Sequence, residues 1–192
     1  MKKLLITGFD PFGGAHINPS WEAVRQLPDE IGDFVLYKLE IPTVFGKAAE
    51  TVLSVAKDLS PDVILCIGQA GGRASVTPER IAVNIRDAKI PDNAGRQPNG
   101  ERIAKNGPAA YFSTLCPEIM CDSIRNAGME ATVSNSAGAF VCNDTLYSLL
   151  HHYADTPVRV GFIHIPYLPE QGSPSQPLND TVVALTTAIK AL

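Results

Sequence analysis

Cys142 is the residue in this chain best placed for covalent chemistry. It follows the small-residue turn Ser136-Ala137-Gly138-Ala139 and stands near the first turn of an expected helix. A helix N-terminus favours negative charge, so this position is expected to depress the thiol pKa. Unpaired amides there also suit a developing oxyanion. The competing reading is a buried, inert cysteine. Cys66 lies inside the apolar run Val63–Ile67 and reads as core, while Cys116 and Cys121, either side of Pro117, read as structural or surface thiols.

A nucleophilic thiol needs a base, and the chain offers four histidines. His151 and His152 sit late in a helix, where a solvated role near its C-terminal dipole is the simpler reading. His16 falls in the first loop. His164 stands near the end of the apolar run Val160–Ile165, where a sheet delivers catalytic side chains. The third member of such a set is a carboxylate that holds the imidazole. Glu79, Asp87, Asp92 and Glu170 are the candidates, and position alone leaves the choice open. No metal is expected: Cys116 and Cys121 lack a matching second pair, and His151 and His152 point different ways on a helix. The Gly68–Arg73 loop resembles a phosphate cradle but lacks both the dinucleotide and the Walker spacing.

These residues must be carried by strands and helices. Strands are expected at Lys2–Thr7, Asp33–Ile41, Val63–Ile67, Arg80–Ile85, Ala131–Ser134 and Val158–Ile165. Helices are expected from Asn18, an N-cap followed by Pro19, to about Leu27, and over Phe45–Leu59, Pro117–Ala127, Cys142–Tyr153 and Leu178–Leu192. Gly8–Gly14, Gly68–Arg73 and Pro166–Pro177 read as loops, and Arg86–Pro108 as a long loop or irregular hairpin. Alternating strands and helices imply a single-domain three-layer α/β/α sandwich around a mainly parallel, mixed, twisted sheet.

The 192 residues suit one domain, residues 1–192, without repeat or linker. The composition is 45 % hydrophobic and 19 % charged, which supports a packed core rather than disorder. A net charge of −4, with no Lys/Arg cluster longer than two, argues against nucleic-acid binding. The apolar run Leu4-Leu5-Ile6 is too short for a signal peptide and no stretch is long enough to span a bilayer. A cytoplasmic protein with reduced thiols is therefore expected.

Several blocks together carry a family likeness. They are Gly8-Phe9-Asp10-Pro11-Phe12-Gly13-Gly14 with Asn18-Pro19-Ser20, and Gly68-Gln69-Ala70-Gly71-Gly72-Arg73 with Pro78-Glu79-Arg80. Ile90-Pro91-Asp92-Asn93, Ser136-Ala137-Gly138 with Phe140-Val141-Cys142-Asn143, and Phe162-Ile163-His164-Ile165-Pro166-Tyr167 complete the set. In this order and spacing the chain resembles the pyroglutamyl peptidase I family over nearly its whole length. The resemblance implies a cytosolic cysteine exopeptidase that removes N-terminal pyroglutamate from peptides through a thioester. It implies Cys142 as nucleophile, His164 as acid and base, and Glu79 as the carboxylate that orients His164.

The resemblance further implies a substrate pocket of Phe9, Phe12, Thr43, Gln69, Ile90, Phe140 and Val141, no cofactor, and a homo-oligomer, dimer or tetramer. The oxyanion is expected near the Cys142 amide and residue 89. The family often has Arg there; this chain has Lys89, which lacks the guanidinium fork. Two other readings compete: a glutamine amidotransferase-like amidase, and a non-catalytic module binding a nucleoside or phosphate through Gly68–Arg73.

Overall fold

The core of the fold is a set of strands whose alternate side chains feed two separate hydrophobic layers. A computed structural model describes residues 1–192. Its strands are β1 (Lys2–Phe9), β2 (Glu30–Ile31), β3 (Phe34–Ile41), β4 (Val63–Gln69), β5 (Thr77–Pro78), β6 (Ile81–Val83), β7 (Ala110–Phe112) and β8 (Arg159–Ile165). Its helices are α1 (Pro19–Gln26), α2 (Lys47–Leu59), α3 (Pro117–Asn126), α4 (Val141–His152) and α5 (Leu178–Lys190).

Six strands form the main sheet in the order β2-β3-β1-β4-β8-β5. The four central strands β3, β1, β4 and β8 are parallel, and the two-residue strands β2 and β5 close the edges antiparallel. On one face Leu4, Ile6, Val63, Leu65, Ile67, Ile163 and Ile165 pack with α1, α3 and α5. On the other, Leu5, Phe9, Ile64, Cys66, Val160 and Phe162 pack with α2 and α4. The continuous apolar runs of β4 and β8 follow from this, because both faces of a covered parallel sheet are dry. The result is the expected α/β/α sandwich. No helix is long and apolar enough to cross a membrane.

Several expected elements are redrawn. β1 and β4 each extend two residues further, so Gly8-Phe9 and Gly68-Gln69 are strand rather than loop. The β1 extension depends on Gly8, where a Cβ would lie 2.6 Å from the Trp21 backbone, so α1 crosses directly over it. Asn18 does cap α1, accepting from Ser20 N at 3.1 Å. Residues 131–134 form no strand; Ala131 and Ser134 make only isolated bridges to Val76 and Glu79. The strand expected at Arg80–Ile85 survives as β6, but it pairs with β7 in a separate ribbon.

That ribbon fixes the start of α4. Asn143 accepts from Val83 N at 2.9 Å and donates to the Val83 and Ile85 carbonyls at 2.9 and 3.0 Å. Asp144, fully buried, pairs with Arg86 Nε at 2.6 Å and accepts from Gly46 N at 2.6 Å. Asp144 thus joins α4, the entrance to α2 and the 86–108 segment. Asp144→Ala leaves the largely buried Arg86 cation without its partner and should lower unfolding free energy by about 3–5 kcal/mol, read from urea denaturation.

Candidate active site

Three chain segments end at the same corner of the sheet. β8 brings His164, the antiparallel β5 returns alongside it to deliver Glu79, and α4 begins above β4 with Cys142 as its second residue. Thr77 pairs with His164 across the β5–β8 ladder, and Glu79 N donates to Phe162 O at 2.9 Å. This register places the Glu79 carboxylate beside the imidazole: His164 Nδ1 and Glu79 Oε1 are 2.7 Å apart, with Glu79 fully buried and His164 nearly so.

Arg73 completes the arrangement. Its guanidinium donates to Glu79 Oε1 and Thr77 Oγ1, both at 2.6 Å, and to Ser136 O at 2.9 Å. One cation therefore ties the carboxylate to the loop that leads into α4. Burial alone would raise the Glu79 pKa. Hydrogen bonding and charge from His164, joined by Arg73, outweigh burial and hold the carboxyl below its ordinary value. An ionised carboxylate only accepts, so the ring proton sits on Nδ1 and Nε2 keeps its lone pair.

The thiol departs from expectation. Cys142 is pushed up to about 12, by desolvation first and then by the charge of Glu79. Its helical position does not depress it, because burial outweighs the helix end. His164 is lowered, again mainly by burial, against the opposing pull of Glu79. Burial thus disfavours charge on both groups, and no hydrogen bond between them contributes to either shift.

Cys142 and His164 line one cavity of about 270 Å³, at the small end for a ligand site. Phe9, Phe12, Thr43, Gln69 and Phe140 line it too, as do Asn18, Arg73 and the 137–138 turn. Phe140 packs against Phe12 at 5.9 Å and edge-on to Phe45 at 5.2 Å, so the aromatic wall is itself braced. Asp10 anchors the adjoining loops, accepting from Thr43 N at 2.6 Å and from the Asn93 side chain at 3.1 Å.

Three residues named from the sequence lie elsewhere. Val141 is fully buried in the α2–α4 layer, Ile90 lines a neighbouring groove, and Lys89 is exposed and lines neither cavity. Of the other carboxylates, Asp92 caps turns, accepting from Phe45, Ala94 and Arg96 amides. Asp87 is exposed and Glu170 stands in the groove. His151 pairs with Tyr111 at 2.8 Å, and no group of three His, Cys, Asp or Glu side chains could hold a metal. The Arg73 clamp had no place in the sequence reading. An arginine closing a glycine-rich loop is the available signal; here its guanidinium pairs with Glu79 and also holds Thr77 and Ser136.

Comparison with known proteins decides the lineage. The family model described as pyroglutamyl peptidase matches residues 2–192. The chain belongs to the pyroglutamyl peptidase family. Pyrrolidone-carboxylate peptidases of Levilactobacillus brevis and Escherichia fergusonii are 52 % and 50 % identical to it. The alignments cover 99 % and 98 % of this chain and 97 % and 92 % of those proteins. The crystal structure of Bacillus amyloliquefaciens pyroglutamyl peptidase I superposes with a TM-score of 0.96 at 45 % identity, covering 100 % of this chain and 96 % of that one. Thermococcus litoralis pyrrolidone carboxyl peptidase gives 0.95 at 36 % identity, covering 100 % and 93 %. As a member of this cysteine peptidase family, the chain is an enzyme.

Two expectations follow from the geometry. A Cβ on Gly68 would lie 2.9 Å from Cys142 Sγ and 2.7 Å from the Phe162 ring. Gly68→Ala should therefore displace the sulfur and lower turnover by about 10²-fold, with a stability loss of about 1–3 kcal/mol; kcat and thermal unfolding check the two effects. Because His164 is depressed in the folded state, its contribution to stability is present above the unfolded value near 6.5 and is lost as pH falls below it. His164→Gln should flatten that part of the stability–pH curve, measured by denaturation between pH 7 and pH 5.

Proposed function

We propose that the protein removes an N-terminal pyroglutamyl residue from peptides, with Cys142 as nucleophile, His164 as general base and acid, and Glu79 as the group that holds His164. The observation that carries this reading is the 2.7 Å Glu79–His164 contact, set beside Cys142 in a small aromatic cavity.

His164 Nε2 takes the thiol proton as sulfur attacks the pyroglutamyl carbonyl, and Glu79 stabilises the imidazolium that forms. The new C–S bond creates an oxyanion. Cys142 is the second residue of α4, so its backbone N–H has no partner within the helix and is available to that oxygen. Lys89, outside the cavity, would have to move inward to contribute. The C–N bond then breaks as imidazolium protonates the leaving amine, and water cleaves the thioester to give pyroglutamate and free thiol.

The lining favours a neutral lactam. Apart from His164, the one ionisable basic side chain at the cavity is Arg73, whose charge is paired with Glu79 and which also donates to Thr77 and Ser136. An amidase for charged amino acids would find no free counter-charge. The Gln69 oxygen accepts from Gln171 at 2.9 Å, which leaves the Gln69 amide hydrogens for a lactam carbonyl. Phe9, Phe12 and Phe140 cover the ring faces. Proline lacks that carbonyl and would leave a polar group unpaired.

Release of a chromophore from a pyroglutamyl amide tests the proposal. Cys142→Ala should abolish turnover with the fold intact, and Glu79→Gln should lower kcat by about 10³- to 10⁴-fold. The corresponding prolyl amide should be a poor substrate; full activity in Cys142→Ala would overturn the assignment.

A further inference from the structure

A second cavity, about 530 Å³, opens directly beside the first and shares Phe12 and Gln69 with it. Its apolar wall includes Ile17, Ile90 and Tyr167, and Ile90 is 44 % exposed, so its side chain is open to a ligand in the groove. Its walls are tied together before any ligand arrives. Gln171 Nε2 donates to Gln69 Oε1 at 2.9 Å and to Ile17 O at 3.4 Å, while its Oε1 accepts from Leu168 N at 3.0 Å. One amide thus links the first loop, the end of β4 and the loop after β8. The ionisable groups of the lining are His16 and Glu170; Glu170 is exposed and has no ion-pair partner.

We propose that this groove receives the substrate residue that follows pyroglutamate, favours a large apolar side chain there, and through Glu170 disfavours an acidic one. The proposal rests on the pyroglutamyl peptidase reading: with the lactam in the small cavity, the groove that shares Phe12 and Gln69 with it is the adjoining space open to the residue after the scissile bond. A braced, largely apolar groove rewards burial of a large side chain with little ordering cost. The Glu170 carboxylate repels a second carboxylate, and more weakly as salt rises.

The test uses the intact protein and four peptide amides, pyroglutamyl-X-Ala-NH2 with X as Leu, Phe, Gly or Asp, compared by kcat/KM. Leu and Phe should exceed Gly by about tenfold, and Asp should fall below Gly. Ile90→Ala should shrink the Leu/Gly ratio, and Glu170→Gln should shrink the Gly/Asp ratio by about two- to fivefold. Equal kcat/KM for all four, or ratios untouched by both variants, would overturn the groove while leaving the pyroglutamyl activity standing. Failure to cleave any of the four would overturn the activity itself, and the groove with it.

Discussion

The buried contact between Glu79 and His164 is the constraint on which the site is built. A carboxylate without solvent is stable only where donors surround it, and Arg73 and His164 both meet it at Oε1. That requirement explains the smallest element of the sheet. β5 is two residues long and pairs antiparallel to β8, and it sets Glu79 across from Phe162, two residues before His164. Arg73 then carries the same constraint outward to Ser136, so the approach to α4 is located by the carboxylate as well.

The rest of the fold supplies a rigid frame for this corner. Central strands buried on both faces leave little freedom at their ends, and the register pairs Gly68 with His164. The sulfur occupies the space that a side chain on Gly68 would take. α4 is held from the far side by Asn143 and Asp144, both fully buried. Cys142 and His164 therefore belong to two different layers of the sandwich that meet at a gap of one missing methyl group.

The fold class and the long elements were legible because they depend on patterns of many residues. The β4 and β8 runs, the Asn18-Pro19 helix start and the periodicity of α2 all carry local signals. Cys142 and His164 were legible as strand-end and helix-start residues. Glu79 was not separable from Asp87, Asp92 and Glu170 by position, since what selects it is a two-residue antiparallel pairing with β8, set between residues far apart in the chain. Only the family resemblance pointed to it. The expected drop in the thiol pKa failed for a related reason: a helix terminus is visible in sequence, whereas the desolvation that opposes it exists only after packing.

Asp10 and Gln171 differ from the reacting groups in the kind of structure they organise. Both bind loops to loops, and neither touches Cys142, His164 or Glu79. Cys142 and His164 sit on regular elements, with Glu79 directly after β5, while Phe12 and Thr43 of the cavity wall sit on connections that Asp10 helps to pin. The contour of the cavity thus depends in part on anchors outside the sheet, so a change at Asp10 would reshape its walls while leaving the strand register intact.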